Sequence, residues 1–420
     1  MSGHTDAVLA KLQRPIPSWV RPFLLACILA GAVTFAALIL RGHAARAWSI
    51  YLVNWLDWTG LSMGLVLFGA VTTVAKGKWA LGLRRVGEAS VVFLPVSFVL
   101  FLVLWFGRAD IFPWVNHPIT DIPSKAFWLR PGFMWARDAA ALLLLFGLSG
   151  WFVRHSLRLD GGLLGSRVSA KGKPMYDRLL KDWNTPGRGA EFSWERREQI
   201  APMLLVAYAL CMSLIAFDLI MSIAPHWVSN LLGGYFFMGA WLSGLMALGL
   251  LMMLAREYYG LEEWLTFRMQ HDVAKLCFGF TVFWAYLFFS QFLVIWYGNM
   301  PEETSFVFLR MATPTWRLIS TIMVVMCFLL PFIGLMGIKP KRTPAIFKTF
   351  AIISLTGLWL DRYVLVVPSV VQSAPSLPLG WQEILMTAGF FGLWGLCYLW
   401  FIERFGVLSP AAIERAAEHH

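Results

Sequence analysis

Charge is scarce in this chain. Asp, Glu, Lys and Arg make up 14% of its 420 residues, against about a quarter in an ordinary soluble domain. Cysteine is scarce as well. Cys27, Cys211, Cys277, Cys327 and Cys397 each stand alone within an apolar run. With no CxxC pair, the sequence signals no iron–sulfur site, no zinc site and no disulfide framework, and the five read as small packing residues. Histidine is missing where a membrane cytochrome would need it. His4, His43, His117, His155, His226, His271, His419 and His420 all fall outside the interiors of the apolar runs. A haem b held between helices takes axial His from inside them, so no haem b and no other metal redox centre is expected on this chain. The formal net charge is +11, yet no basic run is interleaved with exposed aromatics, which excludes a nucleic-acid face.

What the chain has in abundance is apolar length. Hydrophobic residues reach 58%, with 33 Phe and 22 Trp, the composition of a lipid-facing surface with aromatic belts. The runs predict an all-α integral membrane protein of about ten transmembrane helices, at 20–40, 50–75, 88–106, 132–153, 201–223, 232–255, 273–297, 316–338, 345–367 and 383–405. Each is long enough for a hydrocarbon core of roughly 30 Å. The first run exceeds the about 7–15 residues of a signal-peptide core and reads as a helix. Pro95 and Pro331 fall inside spans and are expected to kink them.

Ten spans place both termini on one side. The Lys and Arg residues gather on the loops of that side; the loop 154–200 alone carries ten of the 35. The positive-inside bias therefore puts both termini in the cytoplasm. The same loop divides the chain into a tail with four helices (1–153), a basic cytoplasmic segment (154–200), and six helices with a C-terminal tail (201–420). The segment reads either as an ordered contact arm or as a flexible linker. The external loop 107–131, with Asp110, His117, Asp121 and its prolines, reads as a fixed cap rather than a helix.

An ionisable side chain inside a span is costly unless paired or solvated, so each one needs an account. Asp57, Arg137, Asp138, Asp218, Gln291, Asp361 and Arg362 lie in spans, and His226 follows the fifth in an external turn. The topology puts all of them in the outer third of the membrane, with few counterparts in the inner halves. That asymmetry predicts a polar pocket or vestibule open to the outer face. Two readings compete. Arg137 with Asp138, and Asp361 with Arg362, can pair and lock helices; Asp57 and Asp218 have no partner nearby in sequence and favour a site role. In Asn54-Trp55-Leu56-Asp57-Trp58 the carboxyl is flanked by rings that can form a slot for a planar ligand or serve as interface anchors. Gly60 and Gly64 give a small-xxx-small packing face, and Gly239, Gly244 and Gly249 thin the sixth helix more loosely.

Three segments carry a resemblance: 218–227 (DLIMSIAPHW), 289–304 (FSQFLVIWYGNMPEET) and 360–363 (LDRY). With them the chain resembles the NrfD-like, or polysulfide reductase-type, membrane subunits. It is most similar to the smaller, ActF-type, of the two such subunits of alternative complex III, a quinol:cytochrome c oxidoreductase. The resemblance implies a bacterial cytoplasmic membrane and three partners: a multihaem cytochrome c subunit, an iron–sulfur subunit and a sister NrfD-like membrane subunit. Haem c and the iron–sulfur clusters would sit in those partners, with no cofactor on this chain beyond a possible quinone or quinol. Quinol would be oxidised near the outer face. This chain would contribute proton conduction, quinone access or structural pairing, with Asp57, Asp138, Asp218 and Asp361 suited to proton release. If quinol binds here, Asp57 or Asp218 would take its proton, with His226 as relay. Tyr208, Ser243, Thr281 and Tyr286 are the candidates for an inner path, although helix hydroxyls commonly bond their own i−4 carbonyls. Two other functions fit the composition: a secondary transporter or channel, and a purely structural anchor.

Overall fold

Ten helices long and apolar enough to cross a membrane form in the chain. In the computed structural model they are α1 (Val20–Leu40), α2 (Ala44–Val74), α3 (Arg84–Ile111), α4 (Pro131–Leu164), α5 (Ala190–Ile223), α6 (Leu232–Tyr259), α7 (Phe267–Gly298), α8 (Pro314–Gly334), α9 (Pro344–Val370) and α10 (Trp381–Phe405). The structure describes residues 14–410 except Asp121 and 372–378, together with Leu9, Lys11 and Leu12. Asp121, His4, His419 and His420 therefore lie outside the described residues. Among the described residues there is no strand. The architecture is that of a multi-pass membrane protein.

Several helices outrun their apolar cores. α2 begins at Ala44, α4 continues to Leu164 and α5 starts at Ala190. An apolar run marks the stretch that suits hydrocarbon, whereas the backbone ladder continues for as long as helix formers follow it. Much of the loop 154–200 is thus helix. The external loop 107–131 also departs from expectation: Pro113–Asn116 and Pro123–Trp128 are short helices, each opened by a proline whose missing N–H costs nothing there. The expected kinks take definite forms. In α3, a 3-10 turn at Ala89–Val92 precedes the stretch Phe93–Leu104 that contains Pro95. In α8, a π turn at Val325–Leu329 widens the helix just ahead of Pro331.

α2 to α5 pack as one group and α6 to α9 as another, joined along α2 and α6, while α1 pairs with α10 on the flank. The joint is close because side chains are missing from it. A Cβ on Gly244 of α6 would stand 2.4 Å from the Gly64 carbonyl carbon, and one on Gly64 would stand 2.6 Å from the Ala240 oxygen. Gly60 faces the Ala240 methyl in the same way. Gly60 and Gly64 are the packing face the sequence promised, and Gly244 is its direct counterpart rather than a looser thinning of α6.

The described stretches nearest the two termini lie at one end of the bundle. Lys11 Nζ donates to the Gly260 carbonyl at 2.6 Å, Tyr258 donates to the Pro15 carbonyl at 2.6 Å, and Arg21 pairs with Glu403. The α4–α5 connection docks at the same end, and so resolves as an ordered contact arm. Its short helix Lys173–Leu179 sets Tyr176 edge-on to Phe405, with ring centroids 5.3 Å apart. Arg158 holds the arm through the Leu179 and Arg188 carbonyls, both at 2.8 Å, and the Asp182 carboxylate at 2.5 Å.

Two outcomes follow. Gly244→Val forces α2 off α6 and is expected to cost about 1–3 kcal/mol or more, read as a lower thermal midpoint in detergent. Gly279→Val, on an open face of α7, is expected to leave that midpoint unchanged; equal effects of the two would contradict the packing account. The hydrogen bond from Arg158 holds the Asp182 carboxyl below its usual range. The folded value is the lower one, so the anchoring is complete above the ordinary carboxylate pKa of about 4 and fades only as pH falls further. Protease nicking of residues 165–189 is accordingly expected to stay slow down to about that pH and to quicken below it.

Candidate functional site

Asp57 sits thirteen residues into α2, which at 1.5 Å per residue is about 20 Å from the helix start. Its neighbours Trp55 and Trp58 leave in other directions. Trp55 donates to the Ser97 carbonyl at 2.9 Å and packs on Phe101, while Trp58 packs on Trp394 and Phe391 of α10. No ring slot forms around the carboxyl. One turn earlier, Asn54 accepts from Trp359 Nε1 at 3.1 Å, which turns this face of α2 toward α9.

There Asp57 meets the charges of Asp361 and Arg362. Arg362 Nη1 donates to Asp361 at 2.7 Å, and Nη2 donates to the Phe236 carbonyl at 3.2 Å. The guanidinium lies 4.5 Å from the centre of the Phe236 ring. It occupies space that Gly239 leaves open, since a Cβ there would stand 2.5 Å from Nη2. The Tyr235 hydroxyl donates to the other oxygen of Asp361. Asp361 and Arg362 are thus satisfied, as the pairing reading expected. Asp57 has no hydrogen bond or ion pair with any of the described residues and is 8% exposed. The guanidinium bonds one carboxyl while a second, Asp57, stands in its field, an arrangement suited to holding a proton and passing it on.

A second cluster joins α4 to α5. Asp218 accepts from Arg137 at 2.5 and 3.1 Å and from Trp128 Nε1 at 2.9 Å. Arg137 lies over the Trp128 ring at 3.6 Å. The sequence pairing of Arg137 with Asp138 does not form. Arg137 reaches across to a carboxyl that would otherwise be buried alone, and Asp218 is an ion-pair partner rather than a free acid. Asp138 turns inward beside Asp218, fully buried, with no hydrogen-bond donor on either oxygen. Again the cation pairs with one of two neighbouring carboxyls.

The expected outer vestibule takes a closed form. Asp138 and Asp218 are 0% exposed and Asp361 is 1% exposed, so packed helices cover them. The remaining candidates stand apart. His226 is exposed in its turn and lines a cavity of 490 Å³ with Asp110 and Ser369, without a hydrogen bond to Asp57 or Asp218. Gln291 is half-buried on the stripe of α7 that carries Trp284 and Ile295, and no hydrogen bond joins it to either cluster. Thr281 bonds its own i−4 carbonyl at 2.8 Å, Tyr208 bonds the Phe237 carbonyl at 2.6 Å, and Tyr286 faces outward. Ser243 is buried without a partner among the described residues.

A further buried network, largely beyond the apolar runs, lies at the terminal end. Glu88 accepts from Arg197 at 2.5 Å and Ser156 at 2.8 Å and pairs with Arg85 at 3.1 Å. Arg85 pairs with Asp160 at 2.6 Å, and Asp160 accepts from Ser409 at 2.6 Å. All are buried. The sequence hid them because Arg85, Asp160 and Arg197 lie beyond the apolar runs and read as solvated loop residues. Two acids face two arginines here, the balance of a structural tie between α3, α4 and α5. His155 is likewise buried within α4, not in a loop. Arg310 was also missed. Pro368 cannot donate to the Val364 carbonyl, and Arg310 Nε supplies that bond at 2.8 Å.

Among the described residues no group of three or more His, Cys, Asp or Glu converges as a metal site. No family model matches the chain, and a search of the curated proteins finds no match either.

Arg137→Gln leaves Asp218 buried without its cation and is expected to cost about 3–5 kcal/mol. Adding Asp218→Asn is expected to restore most of it. Thermal unfolding of the single and double variants checks this; additive losses would mean that the pair does not couple α4 to α5.

Proposed function

We propose that this chain is a haem-free membrane subunit of a quinol:cytochrome c oxidoreductase of the NrfD-like, alternative complex III kind. It lies in a bacterial cytoplasmic membrane with both termini in the cytoplasm. It works beside a sister membrane subunit, an iron–sulfur subunit and a multihaem cytochrome c subunit, which hold the redox centres. The observation that carries the reading is Asp57: a carboxyl buried in the bundle, beside an arginine already committed to Asp361, with no hydrogen bond to any of the described residues. The positive-inside distribution supports the orientation.

The closed packing favours proton handling over direct contact with quinol. When a quinol is oxidised, its hydroxyl proton must pass to a base as the electron leaves. Asp57 and Asp138 are the groups with free acceptor capacity, and Asp218 with Arg137 and Asp361 with Arg362 hold them in place. A purely structural anchor accounts for the paired acids. It gives no role to the two unpaired ones, whose burial is costly.

Two measurements on native material test this. Purification in mild detergent is expected to bring the chain down with haem-bearing and iron–sulfur proteins. Arrival alone and colourless, with solute uptake by proteoliposomes, would instead make it a transporter. In the intact complex, Asp57→Asn is expected to lower quinol:cytochrome c turnover by about 100-fold, the lower end for loss of a general base. Unchanged turnover with the complex assembled would leave the structural anchor.

A further inference from the structure

A basic cavity of 430 Å³ opens at the terminal end of the bundle, between α4, the start of α5 and the docked arm. Arg154 and Arg196 project into it from the two helices, and Arg188 from the arm. All three are exposed, and none has a carboxylate partner among the described residues. The one acid on the rim is Asp182, already taken by Arg158 at 2.5 Å. Arg158 spends its remaining donors on the Leu179 and Arg188 carbonyls and on Ser193, and so fixes the wall. His155 lines the same cavity; it is 5% exposed, and its Nδ1 has no hydrogen-bond partner among the described residues. The cavity thus holds surplus positive charge on planar, multidentate donors and an unsatisfied polar atom in its wall. That chemistry fits a phosphate oxyanion.

The surroundings indicate the source. Along α4, the residues Leu143, Gly147, Gly150 and Arg154 follow one face at helical spacing. Leu143 is 57% exposed, and a Cβ at Gly147 or Gly150 would meet nothing within 4 Å. Trp151, 43% exposed, borders this face at the cavity mouth. The face is therefore an open apolar strip that ends at an arginine cluster, with a tryptophan at the junction, where lipid headgroups lie.

We propose that this cavity binds the phosphodiester headgroup of an acidic phospholipid, with an acyl chain lying along α4. Acidic lipid of the inner leaflet is attracted to such basic pockets beside transmembrane helices. The site is independent of the Asp57 region and stands whether or not the chain handles protons.

The test uses the full-length chain, reconstituted with mixed phosphatidylglycerol and phosphatidylcholine, extracted gently and weighed by native mass spectrometry. Phosphatidylglycerol is expected to be retained preferentially. Arg154→Gln with Arg196→Gln is expected to weaken that retention about 25-fold, from roughly fivefold per basic residue. Lys173→Gln, a surface charge outside the cavity, is expected to leave it unchanged. Equal retention of the two lipids by the wild type overturns the proposal without any variant, as does retention that survives the double substitution. Inorganic phosphate supplies the other arm. If it raises the thermal midpoint of the wild type but not of the double variant, while no lipid is retained, the cavity takes a free phosphate and the lipid source is rejected.

Discussion

The face of α6 made by Gly239, Ala240 and Gly244 carries almost no side-chain volume, and the placing of Asp57 beside Asp361 and Arg362 depends on that. Gly244 and Ala240 let the backbone of α2 come within van der Waals reach, which places Asp57 against α9. Gly239 leaves the space that the Arg362 guanidinium fills. In a bilayer, apolar side chains gain little by leaving lipid for protein, so close backbone approach has to supply the association. A larger residue at any of these three positions would part the two helical groups and open the ion cluster together.

The buried acids fall into two kinds. Arg46 with Glu383, Arg197 with Glu88, Arg85 with Asp160 and Arg137 with Asp218 are matched pairs that join helices distant in sequence. Their geometry accounts for their burial. Asp57 and Asp138 are different: each is an additional carboxyl beside a cation that another acid already holds. Both acids lie on the side of the bundle away from the termini, whereas the matched network of α3, α4 and α5 lies toward them. The distinction that matters for function is therefore pairing, not depth.

The ten helices were legible in the sequence because a transmembrane helix must be apolar along a length that the bilayer sets. So was the small-residue contact at Gly60 and Gly64, since spacing alone puts those positions on one face. The polar clusters were legible only as a list of residues. Whether Arg137 takes Asp138 or Asp218 depends on how α4 and α5 rotate against each other, which one chain's spacing does not encode. The network of Arg85, Glu88, Asp160 and Arg197 was hidden for another reason. Its residues sit where helices run past the hydrocarbon, and there buried and solvated charges have the same composition. Arg310 has no sequence signal at all, because its role is to satisfy a carbonyl exposed by Pro368 on another helix.

The central claim is that Asp57 exchanges a proton instead of merely filling the joint between the two helical groups. Redox-induced infrared difference spectroscopy of the native complex tests it most directly. The account predicts a carboxyl C=O band that appears on quinol oxidation, shifts in deuterated water and is lost in Asp57→Asn while the complex stays assembled. The same difference spectrum from wild type and variant would contradict it.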